Sequence, residues 1–405
     1  MFGIYKEAFS NINSNIWVLT IATLINRTGS MVVLFTSLYL TKELGFSLAD
    51  AGILMSFYGG GSVLGSFVGG WLTDRWSQYH IMVGSLITSA LVLLLLLLVK
   101  SFFLIGGILF AYALFADTFR PAMAASIAFY STPENRTRSV SLIRLAINLG
   151  FSIGPALGGF VALYFGYTWL FIADSITSLG AALMLGFYLP LPNRKNTEEE
   201  LAGVAKVKSK SAYQDWFYLF FILLVTLYAI GFFQIFASLP QYFDRICHFS
   251  EATIGLLMAF NGALVVLVEM PLITWLQNKT VQPFQMISLG VICIPLSFLI
   301  LLFFPCELGL TVLFILVITL SEIFAMPFMM NYSLARPKKD RQGEYSALYS
   351  IAYGIANMIA PSLGLGLADR FGFEVTFLVM VLFFIPVAVI FYYLGSKGRT
   401  GIHKN

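Results

Sequence analysis

Long apolar runs separated by short polar breaks recur along the whole chain. A helix needs about 20 residues to cross the hydrocarbon of a bilayer. About twelve runs reach or approach that length: residues 16–41, 48–72, 80–99, 102–125, 138–165, 168–188, 215–241, 251–277, 283–304, 309–335, 343–368 and 374–396. Inside lipid a backbone must satisfy its own hydrogen bonds, so such runs are expected as α-helices. The longest polar stretch, Asn193 to Gln214, falls between the sixth and seventh runs. The pattern therefore predicts an all-α integral membrane protein with twelve transmembrane helices in two six-helix bundles. Residues 1–190 form the first bundle, 191–214 a cytoplasmic linker, and 215–405 the second bundle with a short cytoplasmic tail.

Composition agrees with the pattern. Hydrophobic residues make up 59% of the chain, charged residues 11%, and 39 of the 405 residues are Phe. A soluble core needs far less apolar surface, so the bilayer is the solvent for much of this chain. Charge then sets the orientation, because short cytoplasmic loops retain Lys and Arg. With both termini inside, 17 of the 24 Lys and Arg lie in cytoplasmic segments, and only Lys42, Lys100, Arg245 and Arg370 lie in outer loops. The net charge of +4 reflects that topology and gives no reason to expect a nucleic-acid partner. Met1 to Trp17 lack a short apolar core followed by a small-residue cleavage site, so the first span is expected to stay in the mature protein. The expected location is the inner (cytoplasmic) cell membrane, multi-pass.

Cys247, Cys293 and Cys306 are too few and too scattered for a disulfide framework or a zinc site. His80, His248 and His403 are dispersed, and no Ser/His/Asp cluster, Walker loop or metal-ligand spacing occurs. No enzyme activity, cofactor, metal or ATP fuel is expected.

The second run is spaced by Gly59, Gly60, Gly61, Gly65, Gly69 and Gly70, which let a neighbouring backbone approach closely. It ends in Gly70-Trp71-Leu72-Thr73-Asp74-Arg75. This ending resembles motif A of the major facilitator superfamily, where the Asp caps a neighbouring helix end and pairs with an Arg. The resemblance implies a conformational latch at Gly70, Asp74 and Arg75; the bland alternative is a solvated Asp-Arg turn. Ser77, Gln78 and Tyr79 stand where the motif has Gly and basic residues. In the fifth run, Gly150, Gly154, Pro155, Gly158 and Gly159 are similar to motif C, prominent in proton-coupled antiporters of that superfamily. Pro155 removes a helix hydrogen bond, so a bend is expected there. An internal repeat supports the resemblance, since Ala360-Pro361 through Gly366 and Phe371-Gly372 echo Gly154-Pro155 through Gly159 and Phe165-Gly166. Within it the chain resembles 12-span drug:proton antiporters (LmrP-like and MdtH-like), with a more distant likeness to proton-coupled oligopeptide transporters.

Ionisable residues inside apolar runs point to function, because they are costly there. Glu322, in Leu320-Ser321-Glu322 through Pro327, lies midway along the tenth run. It looks like the acid that contributes to proton coupling or binds substrate amines in those transporters; otherwise it is a structural acid. Glu269 reads equally as a second protonation site or as an acid held near the cytoplasmic gate. Asp174, about six residues into its run, favours a structural or interfacial role. Arg27 and Arg144 are available to offset a buried carboxylate. Asp117 and Arg120 stand three apart on one helix, as a gate network or a local ion pair. The oligopeptide transporters carry Glu-x-x-Glu-Arg where this chain has Thr23, Asn26 and Arg27, which argues against ordinary peptide symport.

Phe57, Tyr58, Tyr228, Phe232, Gln234 and Asn261 are candidates to line a cavity suited to amphipathic or cationic ligands. The leading reading is a monomeric secondary transporter running proton antiport, hence efflux, of small amphipathic or cationic molecules by alternating access. The alternative is a proton-coupled importer of peptides, sugars or a siderophore. The partners are a small-molecule substrate, protons and the lipid bilayer.

Overall fold

The computed structural model describes residues 12–29, 31–73, 75–132, 135–190, 211–277, 282–304, 306–336 and 342–398. Asp74 of the motif A resemblance and residues 191–210 of the expected linker lie outside them. The described chain is helical nearly throughout, as a backbone in lipid requires.

Span one comprises helices Ser14–Gly29 and Val32–Leu38 followed by a wider turn, Tyr39–Glu43. Spans two to six are Leu48–Thr73, Gln78–Leu95, Phe102–Tyr130, Arg136–Phe165 and Tyr167–Tyr188. Span seven is in three pieces: Trp216–Phe232, Gln234–Ala237 and Leu239–Arg245. Spans eight to ten are Glu251–Gln277, Pro283–Phe303 and Leu308–Ala335. Helix Gln342–Gly398 holds the remainder. Among the described residues eleven stretches are long and apolar enough to cross a bilayer, and the last of these, Glu344–Gly395, has 52 residues. That is more than twice a single crossing. Gly372, at φ 83° and ψ 166°, divides it into spans eleven and twelve. Gly166 makes the same turn between spans five and six, at φ 86° and ψ 167°. A side chain with Cβ is strained at this φ, so glycine is needed at both turns. The expected twelve spans and the internal repeat are thus seen in the backbone.

The chain divides into two compact units. The first comprises residues 1–39, 57–204 and 250–262, and the second residues 40–56, 205–249 and 263–405. In the first unit Ile16, Met82, Phe119, Leu142, Ala181 and Leu185 belong to one buried cluster drawn from spans one, three, four, five and six. The second unit packs Phe rings edge to face, as in Phe243–Phe314 and Phe298–Phe314. Such aromatic pairs add to the packing of a bundle in which lipid tails are as apolar as the side chains.

The repeat also fixes two helix crossings. In the first unit a Cβ on Gly255 of span eight would collide with the carbonyl oxygen of Pro155 and lie 3.1 Å from Cα of Gly159. In the second unit a Cβ on Gly52 of span two would come 2.8 Å from the carbonyl oxygen of Pro361 and 3.2 Å from Cα of Ser362. The repeated Gly-Pro and Ala-Pro stretches therefore do the same work, each receiving a glycine face from another span. Pro155 sits inside one continuous helix, Arg136–Phe165.

Span seven is anchored at its start by Asp215, which accepts from the Tyr218 backbone N–H at 3.1 Å and from the Tyr345 hydroxyl at 3.0 Å. Arg336 donates to both of its oxygens, at 2.7 and 2.9 Å. The Arg336 hydrogen bonds, with that of Tyr218, hold the Asp215 carboxyl below the usual carboxylate range. A depressed pKa contributes stability that is present above the unfolded pKa and lost as pH falls through the folded one. Asp215→Ala is therefore expected to lower thermal stability at neutral pH by about 1 kcal/mol, the worth of a helix cap. The difference from wild type should close in acid, as measured by melting in detergent.

Candidate functional site

The first helix of span one carries residues that line a polar cavity in the first unit. The cavity measures about 30 Å³ and is lined by Asn26, Arg27, Tyr58, Tyr112, Asp117 and Asp174, among others. A polar cavity of that size has room for one or two water molecules. Asp174 is 1% exposed, and it accepts from the Tyr112 hydroxyl at 2.9 Å and from Ser178 Oγ at 3.4 Å. Asn26 Nδ2 donates to Ser178 Oγ at 3.1 Å, so spans one, four and six are tied through one chain of polar groups. Asp117 accepts from Ser62 Oγ and pairs with Arg120 Nε at 2.7 Å. The local i,i+3 ion pair expected at Asp117 and Arg120 is therefore present, with Arg120 exposed and Asp117 buried. The Arg27 guanidinium lies 5.7 Å from the centre of the Phe151 ring. Gly150 of the motif C resemblance lets span five approach there, since a Cβ on it would come 2.5 Å from Arg27 Cβ. Gly154 and Gly158 continue that face onto Thr28 and Met31, and Gly159 meets Glu251 and Ala252.

The second unit holds a different arrangement around Glu322. Tyr228 is fully buried, and its hydroxyl donates to the Ser321 carbonyl at 3.3 Å, next to Glu322 in the chain. One helical turn on from Glu322, the Met326 carbonyl lies 3.4 Å from the Tyr349 hydroxyl. The Tyr349 hydroxyl donates to that of Tyr353 at 3.3 Å, and the Tyr353 ring lies edge-on to Phe233 at 6.0 Å. Phe232 stacks beside Tyr228 at 6.3 Å. A half-buried carboxylate among aromatic rings is a setting in which a proton or an organic cation can neutralise the acid.

The remaining candidates are more dispersed. Gln234 is fully buried and donates its amide to the carbonyls of Ala360 at 3.0 Å and Ile230 at 3.2 Å. It also accepts from Ser238 Oγ at 2.8 Å, so it serves as a fastening for the broken span seven. Asn261 and Glu269 are buried on span eight, Arg144 is exposed on span five, and Phe57 is exposed on span two. Arg75 stacks its guanidinium 4.1 Å from the centre of the Trp71 ring, and Gly70 has open space beside it.

The cysteine reading needs correction. Cys247 and Cys306 form a disulfide, with Cα atoms 4.7 Å apart, although 59 residues separate them in sequence. Distance along the chain misled because the end of span seven and the connection between spans nine and ten are neighbours in the bundle. Cys293 is free and buried.

The profile of the Major Facilitator Superfamily matches residues 19–361. The chain belongs to the Major Facilitator Superfamily. It is thus a membrane transporter for small molecules and not an enzyme. An uncharacterized MFS-type transporter of Bacillus subtilis (strain 168), YqjV, is 25% identical over 90% of this chain and 89% of its own. A Na(+), Li(+), K(+)/H(+) antiporter of Planococcus maritimus is 25% identical over 88% of this chain and 89% of its own. Among solved structures, a POT family transporter in complex with a thioalcohol-conjugated peptide superposes with a TM-score of 0.79 at 13% identity. It covers 97% of this chain and 98% of its own. That likeness concerns the fold.

Sequence reasoning named Asp174 but gave it a structural or interfacial role, and it passed over Tyr112, Tyr349 and Tyr353. Asp174, Ser175 and Ser178 lie on one helical turn, a polar face that was available in sequence. The tyrosines carry no such signal, since Tyr in a membrane span reads equally as lipid contact.

Proposed function

We propose that this transporter is a proton-coupled antiporter exporting small amphipathic or cationic molecules, with Glu322 taken in turn by proton and substrate. The observation that carries this reading is the placement of Glu322 in a membrane span between the Tyr228 contact on Ser321 and the Tyr349 contact on Met326. An ionised carboxylate there attracts a cation, the ring faces favour one that is also apolar, and a proton discharges the acid so that it can be occluded. Access alternates by rocking residues 1–190 against residues 215–396 around the central charges, as transporters built from repeats do.

A second reading, exchange of monovalent metal cations for protons, is favoured by the Planococcus relative. Peptide symport is disfavoured by Thr23 and Asn26, whose polar groups are engaged with Met123 and Ser178. Everted vesicles with an imposed pH gradient, tested with lipophilic organic cations, sodium, potassium and dipeptides, separate these readings. Proton-driven accumulation of the organic cations alone supports drug antiport, and accumulation of sodium or potassium alone supports the second reading.

The orientation proposed is both termini in the cytoplasm, in the cell membrane. It places the Cys247–Cys306 disulfide on the outer face, where disulfides persist. A membrane-impermeant maleimide applied to whole cells is expected to label the protein only after an impermeant reductant. Labelling that needs permeabilised cells would reverse the topology.

A further inference from the structure

Proton transport through Glu322 leaves Asp174 without a task, although it is the less exposed of the two acids in the polar cavity of the first unit. Asp117, 4% exposed, is committed to Arg120 at 2.7 Å and to Ser62. Asp174, 1% exposed, has neutral partners only, the hydroxyls of Tyr112 and Ser178. Burying an ionised carboxylate without a paired cation is expensive, and such a group exchanges its charge for a proton when it can. The cavity supplies what the exchange requires. Its volume of about 30 Å³ admits water beside the acid, and Asn26, Tyr58, Tyr112 and Ser178 offer that water the two to four polar partners it needs.

The groups facing Asp174 decide between a proton and a metal cation. Span one brings Arg27 and Asn26, span two Tyr58, span four Tyr112 and Asp117, and span three only Leu86 and Ser89. Arg27 is a permanent positive charge in the same cavity. It attracts the ionised form of Asp174 and repels a sodium or potassium ion, whereas a proton shared with one carboxyl oxygen needs no cage of ligands.

We propose that this cavity is a second proton-binding site, with Asp174 the group that takes up and releases the proton and Arg27 the fixed charge that favours its release. The step is simple acid–base exchange: a proton leaves cavity water for an Asp174 oxygen and returns by the same route, with the Tyr112 hydroxyl turning to suit each form. With Glu322 in the second unit, the chain then carries two titrating acids, and up to two protons move per substrate. This rests on the reading that transport is proton-coupled.

Infrared difference spectra of purified protein in lipid, recorded from acid to alkaline pH, test it by the carbonyl stretch of a protonated carboxylic acid. The expected result is two titrating carboxylic bands in wild type, one lost in Glu322→Gln and the other in Asp174→Asn. Asp174→Asn should also lower the proton-to-substrate ratio by one in proteoliposomes. If Asp174→Asn does not fold, Tyr112→Phe keeps the acid and removes its hydroxyl donor, and a shifted titration midpoint of that band gives the same answer. Bands unchanged by these substitutions, in a protein whose transport still follows a pH gradient, would overturn the Asp174 site and leave the proton-coupled reading standing. A band abolished by sodium or lithium at fixed pH would overturn the proton assignment in favour of a metal cation.

Discussion

Glu322→Gln is expected to cut accumulation driven by a pH gradient severely while leaving the protein folded. The amide nearly matches the carboxyl in volume, so the contacts of Tyr228 with Ser321 are retained, but it neither takes up a proton nor presents a charge to a cation. Coupling between two ligands of one protein is typically worth about 1–3 kcal/mol, so its loss should reduce driven accumulation by about 5- to 150-fold. Downhill exchange of a neutral substrate should be less affected, because that reaction asks nothing of the proton. Retention of the wild-type melting temperature establishes that the loss is functional. Wild-type pH-dependent transport in the variant would remove Glu322 from the mechanism.

The second large effect concerns the crossings made by the internal repeat. Gly255→Ala puts a methyl group onto the Pro155 carbonyl, and Gly52→Ala puts one 2.8 Å from the Pro361 carbonyl. Backbone atoms cannot rotate aside as a flexible side chain does, so span eight must withdraw from span five, and span two from span eleven. Overpacking of this kind costs about 1–3 kcal/mol, and occasionally more where helices must separate. Both variants should melt well below wild type and transport poorly. Gly107→Ala is the control, because nothing lies within 4 Å of its Cβ position. Equal melting temperatures for all three variants would show that these crossings do not hold span eight on span five or span two on span eleven.

Much of the fold was legible because a membrane reduces the problem to apolar runs, turns and repeats. The twelve runs, the echo of Pro155 in Pro361 and the matched Phe165-Gly166 and Phe371-Gly372 were all readable, and the backbone turns at Gly166 and Gly372 have the same geometry. The interruptions of span seven were not, since residues 215–241 are continuous in apolarity and discontinuity is settled by packing. Individual acids were legible as costly groups, but their partners were not. Asp174 looked interfacial when counted from the end of its run, and only the approach of Tyr112 from span four shows how deeply it is enclosed. The Cys247–Cys306 pair was missed for the same reason, because sequence spacing does not report which loop ends meet.

Antiport has a thermodynamic converse: a substrate gradient must move protons the other way. Proteoliposomes loaded with a lipophilic organic cation, diluted into substrate-free medium at equal pH inside and out, should acidify internally as the cation leaves, with a pH dye reading the change. The account predicts this acidification in wild type and its absence in Glu322→Gln, with the membrane potential clamped by potassium and valinomycin. Internal alkalinisation as the cation leaves, which is the signature of symport, or efflux with no pH change at all, would contradict it.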